Sequence, residues 1–206
     1  MQNIKYYTWE VIPTNTPLLK KKCSKCRCNS HFYCSNKFRL NSQKRYIDVW
    51  LIYKCVKCDE TYNLPIFSRT KLDLIDKNLF QRFSENDEIA AWQYAFDTDI
   101  LSKSNFEADY SHIDYDIIYK KVSLDEMLEI EEEMLIFEMK AKFYLHLKLT
   151  SVIRECLDIS LSQLDKMMQA GVISILPSGK LKKLKVKDGV KVVVYRDKLG
   201  KYLEIL

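Results

Sequence analysis

Two Cys-x-x-Cys pairs, Cys23-Ser24-Lys25-Cys26 and Cys55-Val56-Lys57-Cys58, constrain this chain more than any other feature. Each pair lets two sulfurs from one tight turn reach a common ion, and four thiolates close a tetrahedral site with no position left for water. Such a site holds a fold together and activates nothing. The 28 residues between the pairs must leave the first turn and return to the second. They have the makings of a hairpin: Phe38 to Leu40 is apolar-rich, Asn41 to Lys44 is turn-prone, and Tyr46 to Tyr53 is dense in aromatic and β-branched residues. Thr61 to Phe67 adds a third strand, which Pro65 confines to a sheet edge. The expected fold of this region is a zinc ribbon, with Zn2+ structural and held by Cys23, Cys26, Cys55 and Cys58.

Disulfides are the alternative use of these cysteines. The opening residues, Met1 to Tyr7, contain no signal-peptide core, so a reducing, cytoplasmic location is expected, and the total of seven cysteines is odd. Cys28, His31 and Cys34 crowd the first turn and leave open a substitution for one of the four ligands, although three groups alone make no second closed site. Cys156 falls in a helical apolar pattern and reads as a small core residue. No apolar run approaches the roughly 20 residues of a membrane span.

The net charge of +5 conceals segregation into three blocks. Residues 1–71 carry 14 basic against 4 acidic side chains, residues 72–146 carry 7 against 18, and residues 147–206 carry 12 against 6. The expected domains follow these blocks: a zinc ribbon with an N-terminal strand at 1–71, an acidic α+β segment at 72–146, and a third module at 147–206. Two basic ends face a polyanion or dock on the acidic middle.

In the middle block, Leu72, Ile75, Leu79 and Phe83 recur at helical spacing, and a second helix is expected after Ser84 as N-cap. Ser123 with Glu126 forms a capping box for a short acidic helix that extends through Glu131-Glu132-Glu133. From Leu135 to Leu149 apolar residues alternate with polar ones, which predicts one long strand with Tyr115 to Tyr119 as its partner. Carboxylate pairs such as Asp97 with Asp99 and Asp114 with Asp116 have no phosphate loop or nucleophile elbow beside them. None of the three histidines stands at metal spacing from another, and His112 and His146 read as surface or packing residues. A non-enzymatic protein is expected.

The third block reads as a short helix within 147–157, after the first residues of that stretch, a second helix capped by Ser160 and Gln163 and ended by Gly171, then short strands at Val172 to Leu176, Leu181 to Val186 and Val190 to Tyr195. This order, with Leu157 to Gln163, Met168 to Ile173 and Val186-Lys187-Asp188-Gly189, resembles the alpha-L RNA-binding module of a small-subunit ribosomal protein. The resemblance implies phosphate contacts from the helices and the loop after them, here Lys148, Arg154, Lys166, Lys180, Lys182, Lys183 and Lys185. Between residues 180 and 201, nine basic residues face two acidic ones, which would give several phosphate contacts and a steep salt dependence.

Trp9-Glu10-Val11-Ile12-Pro13, the two cysteine pairs, Asp48 to Cys55 and Leu64 to Phe67 together resemble a bacterial family catalogued as domain of unknown function ten sixty-two. That resemblance implies a fold neighbourhood and no activity. The functional expectation is a zinc-containing protein that binds structured RNA, ribosomal RNA included, with Lys20, Lys21, Lys22, Lys25, Arg39, Lys44 and Arg45 assisting. The alternative is an adaptor whose ribbon and C-terminal module bind a protein partner or each other.

Overall fold

The computed structural model describes residues 3–104, 106–179 and 183–204. The fold is mixed α+β, with two five-stranded sheets. It divides into two compact units: Thr14–Asp114, and Met1–Pro13 together with Tyr115–Leu206. These do not coincide with the charge blocks. Residues 4–13 belong with the C-terminal residues, and the acidic block is divided after Asp114, because strand pairing across distant sequence leaves no trace in local charge.

In the unit 14–114 the strands are β2 (Leu18–Lys22), β3 (Asn29–Gln43), β4 (Tyr46–Cys55), β5 (Thr61–Lys71) and β6 (Glu107–Asp109). They form an antiparallel sheet of order β5-β4-β3-β2-β6. β5 is an edge strand, where the missing N–H of Pro65 is tolerated. The β3–β4 turn is shorter than the sequence indicates: Asn41 to Gln43 continue β3, and Lys44 takes a positive φ of 55° beside Arg45. Along β4 the alternation is complete, with Ile47, Val49, Leu51, Tyr53 and Cys55 all buried.

Three helices cover this face: α1 (Lys77–Ser84), α2 (Glu88–Ala95) and α3 (Thr98–Lys103). Phe83, Ala90, Ala91, Ala95 and Leu101 pack in one cluster with Leu19, Ile47, Val49, Leu51 and Leu64. Phe83 centres it, with Phe38, Tyr94 and Phe67 at ring separations of 4.8, 5.6 and 5.9 Å. Burial of a ring of this size stabilises by roughly 1.5–3 kcal/mol. The expected cap at Ser84 is corrected: Ser84 ends α1, and Asp87 caps α2 by accepting from the Ala90 N–H at 2.7 Å. A carboxylate closer to the helix start wins because it reaches the free N–H groups directly.

In the other unit β7 (Tyr115–Tyr119), β1 (Ile4–Pro13), β8 (Met134–Lys140), β10 (Lys191–Tyr195) and β9 (Ile173–Leu176) form a sheet in that order. β1 and β8 are parallel, in register from Ile4 opposite Met134 to Glu10 opposite Lys140. The expected long strand over 135–149 is therefore seven residues, and its neighbours are β1 and β10, while Tyr115 to Tyr119 pair with β1 instead. Leu135, Ile136, Phe137 and Met139 are buried, as a central strand covered on both faces requires. Phe137 stacks on Trp9 at 4.5 Å and on Tyr7 at 5.0 Å.

The helices of this unit are α4 (Leu124–Leu128), α5 (Leu149–Leu157), α6 (Leu161–Gln169) and α7 (Arg196–Leu203). Both capping boxes form, Ser123 with Glu126 and Ser160 with Gln163. α4 stops at Leu128, so Glu131 to Glu133 lie outside it. Past α6, Gly171 at φ 68° bonds back to Met168 and Val172 to Met167, a Schellman ending that a left-handed glycine permits. Of the strand expected at 181–186, Leu181 and Lys182 lie outside the described residues; Lys185 makes an isolated bridge to Lys148.

Candidate metal centre

β3 begins and β4 ends at the same end of the first sheet, where Phe32 pairs with Cys55. The β2–β3 and β4–β5 connections are therefore neighbours, and each carries one cysteine pair. Their backbones match. Cys23 N–H donates to the Cys28 carbonyl at 2.9 Å, and Cys55 N–H donates to the Glu60 carbonyl at 2.9 Å, each five residues on. Arg27 and Asp59, four residues after the first cysteine of each pair, take φ of 55° and 57°. The second turn is fixed to β3 by Val56 N–H on the His31 carbonyl at 3.0 Å.

These turns converge Cys23, Cys26, Cys55 and Cys58, whose sulfurs all lie within 4.8 Å of one another, with Cys23 and Cys58 at 3.6 Å. Four sulfurs at about 2.3 Å from a tetrahedral ion stand about 3.8 Å apart, so the donor set fits a thiolate-bound metal. None of the seven cysteines is in a disulfide. Ser30 Oγ lies 3.2 Å from Cys55 Sγ and holds that thiol down to about 6, whereas Cys26 is pushed up to about 12, first by its hydrogen bond to Cys58. The arrangement can share one bound cation among four sulfurs and leaves no protein donor facing an open position.

The other sulfur groups of the first turn stand apart from this cluster. Cys28 Sγ accepts from Lys57 Nζ at 3.5 Å, and burial raises Cys34 to about 11. Cys156 lies in α5, in the other unit, where burial pushes it up to about 12.

Among the residues expected to contact RNA, Lys180 and Lys182 lie outside the described residues. Lys148 and Lys185 are brought together by their bridge, which Leu149 N–H on the Leu184 carbonyl and Val186 N–H on the Leu147 carbonyl flank. A ring that sequence reading passed over lies on the same segments: Tyr144 meets the tilted ring of His146 at 4.5 Å and receives Lys187 Nζ at 5.8 Å. Lys183 is exposed, and Arg154 and Lys166 are exposed on α5 and α6. In the first unit, Lys21 covers the Tyr62 ring at 3.4 Å and Lys20 pairs with Glu107 at 3.5 Å.

Sequence reading also missed a second group. His31, Asp109 and His112 meet within 4.8 Å although up to 81 positions separate them, because β6 pairs with β2 beside β3. No local signal marks such a meeting.

Fold and cysteine site together define a mixed α+β protein with a closed four-cysteine candidate metal centre. Residues 40–178 match the family described as protein of unknown function (DUF1062), and the chain belongs to that family. No curated protein and no solved structure matches it. Among the described residues no helix is long and apolar enough to cross a membrane.

Proposed function

We propose that the four cysteines hold a structural Zn2+ in a ribbon-like site, and that the protein is a non-enzymatic, cytoplasmic binder of structured RNA. The convergence of four sulfurs from two matched turns carries the first part. Thiolates at this separation favour zinc, and the closed donor set favours a structural role over water activation. Apparent binding energies of structural zinc sites are on the order of 10 kcal/mol, enough to secure two loops that contribute few apolar residues of their own.

The RNA reading is supported by the Lys148–Lys185 pair beside Lys187, Tyr144 and His146. Cations hold phosphates and exposed rings stack unpaired bases, a combination that serves RNA loops better than a uniform duplex. The two helices α5 and α6, joined through the Ser160 cap and followed by β9, are the elements an alpha-L-like module would use.

Filter binding of a structured RNA at several salt concentrations tests this. Affinity that falls steeply with salt, and drops further in Lys148→Glu/Lys185→Glu, is expected. No affinity at low salt overturns the RNA reading.

A further inference from the structure

We infer that His31, Asp109 and His112 form a second metal site, separate from the cysteines, that takes a divalent transition-metal ion. His31 Nε2 lies 3.0 Å from Asp109 Oδ2, and His112 Nε2 lies 3.8 Å from the same oxygen. Three donors held at about 2.0–2.1 Å from one ion stand roughly 3–3.5 Å apart, and the two distances bracket that separation. The imidazole rings meet edge to face with centroids 5.7 Å apart, so both Nε2 atoms approach the carboxylate without stacking on each other.

The carboxylate is held from behind. Asp109 is buried, and its other oxygen, Oδ1, accepts from the Ser111 N–H at 3.0 Å and the Ser111 hydroxyl at 2.5 Å. An anchored far oxygen with the near oxygen aimed at two imidazoles is the outer support a ligating carboxylate needs.

The two sites lie on opposite faces of β3, since Ser30 reaches Cys55 and His31 is the next residue along the strand. His31 opens onto a surface cleft lined also by Lys20, Lys22, Asn29 and Glu107. Two histidines and a carboxylate leave coordination positions for water, unlike the closed sulfur set, and imidazole nitrogen selects zinc, iron, copper or nickel over calcium. Lys20 Nζ is the competing cation, 3.6 Å from Asp109 Oδ2 and 3.5 Å from Glu107 Oε1. Its side chain is 45% exposed, so on metal binding it can leave Asp109 and keep Glu107.

Equilibrium dialysis of the full chain against micromolar Zn2+, with bound metal counted per chain, tests the site. His112→Ala, an exposed position, should lower the count by one equivalent relative to the unmodified chain, whatever the cysteines hold. Lys20→Gln should tighten the same equivalent roughly fivefold or more, since it removes a like charge a few ångströms away, and misfolding does not mimic a gain. Equal counts for His112→Ala and the unmodified chain, or weaker binding in Lys20→Gln, would overturn the assignment.

Discussion

Arg27 and Asp59 occupy the same place in two separate turns, four residues after Cys23 and Cys55, and share a left-handed backbone with φ 55° and 57°. Side chains other than glycine carry a cost of roughly 1–2 kcal/mol there, and β-branched ones the most. Arg27→Val should therefore weaken metal affinity about tenfold, while Arg27→Gly should leave it unchanged or slightly tighter. Competition with a chromophoric chelator measures both.

Ser30 supports the sulfur cluster from outside, with its hydroxyl 3.2 Å from Cys55 Sγ. Loss of such an outer partner costs roughly 10–100-fold in metal affinity. Ser30→Ala should fall in that range with its strand pairing to β2 unchanged, and the same chelator competition reads it. An affinity equal to that of the unmodified chain would remove Ser30 from the site.

The Ser160 hydroxyl accepts from the Gln163 N–H at 3.1 Å, and the Gln163 side chain accepts from the Ser160 N–H at 2.8 Å. Ser160→Ala should cost about 1 kcal/mol, the usual value of an N-cap. Urea denaturation should show the loss as a shifted midpoint with unchanged slope. Phe137→Ala, which removes the ring stacked on Trp9 and Tyr7, should cost about 3–5 kcal/mol in the same experiment.

Cys156 is raised by burial to about 12 in the fold, against roughly 8.5 for an unfolded thiol. A raised pKa means the native state keeps its proton longer. This contribution to stability is complete below pH ~8.5 and is lost as pH rises through about 12. Cys156→Ala should flatten the decline of stability across that alkaline window, seen as unfolding midpoints that converge with those of the unmodified chain at high pH. Parallel profiles for the two proteins would place the thiol in water.

The cysteine convergence was legible in the sequence because two short spacings state it, and a sheet that brings β3 and β4 together completes it. Caps at Ser123 and Ser160 and the glycine stop at 171 were legible for the same local reason. The strand over 135–149 was not. Alternation continues past Lys140, yet the ladder ends there: Ala141 N–H bonds to the Asp188 side chain, and the chain turns toward Leu149 and α5. Partnership of β1 with β8, and the meeting of His31 with Asp109, depend on pairings over about 80 to 130 positions. Such pairings are chosen by the whole core and leave no short-range pattern.

Elemental analysis of freshly purified, reduced protein bears most directly on the central claim. We predict that the unmodified chain contains one zinc equivalent per chain more than Cys26→Ser/Cys58→Ser. A zinc content near zero, or the same content in both proteins, would contradict it.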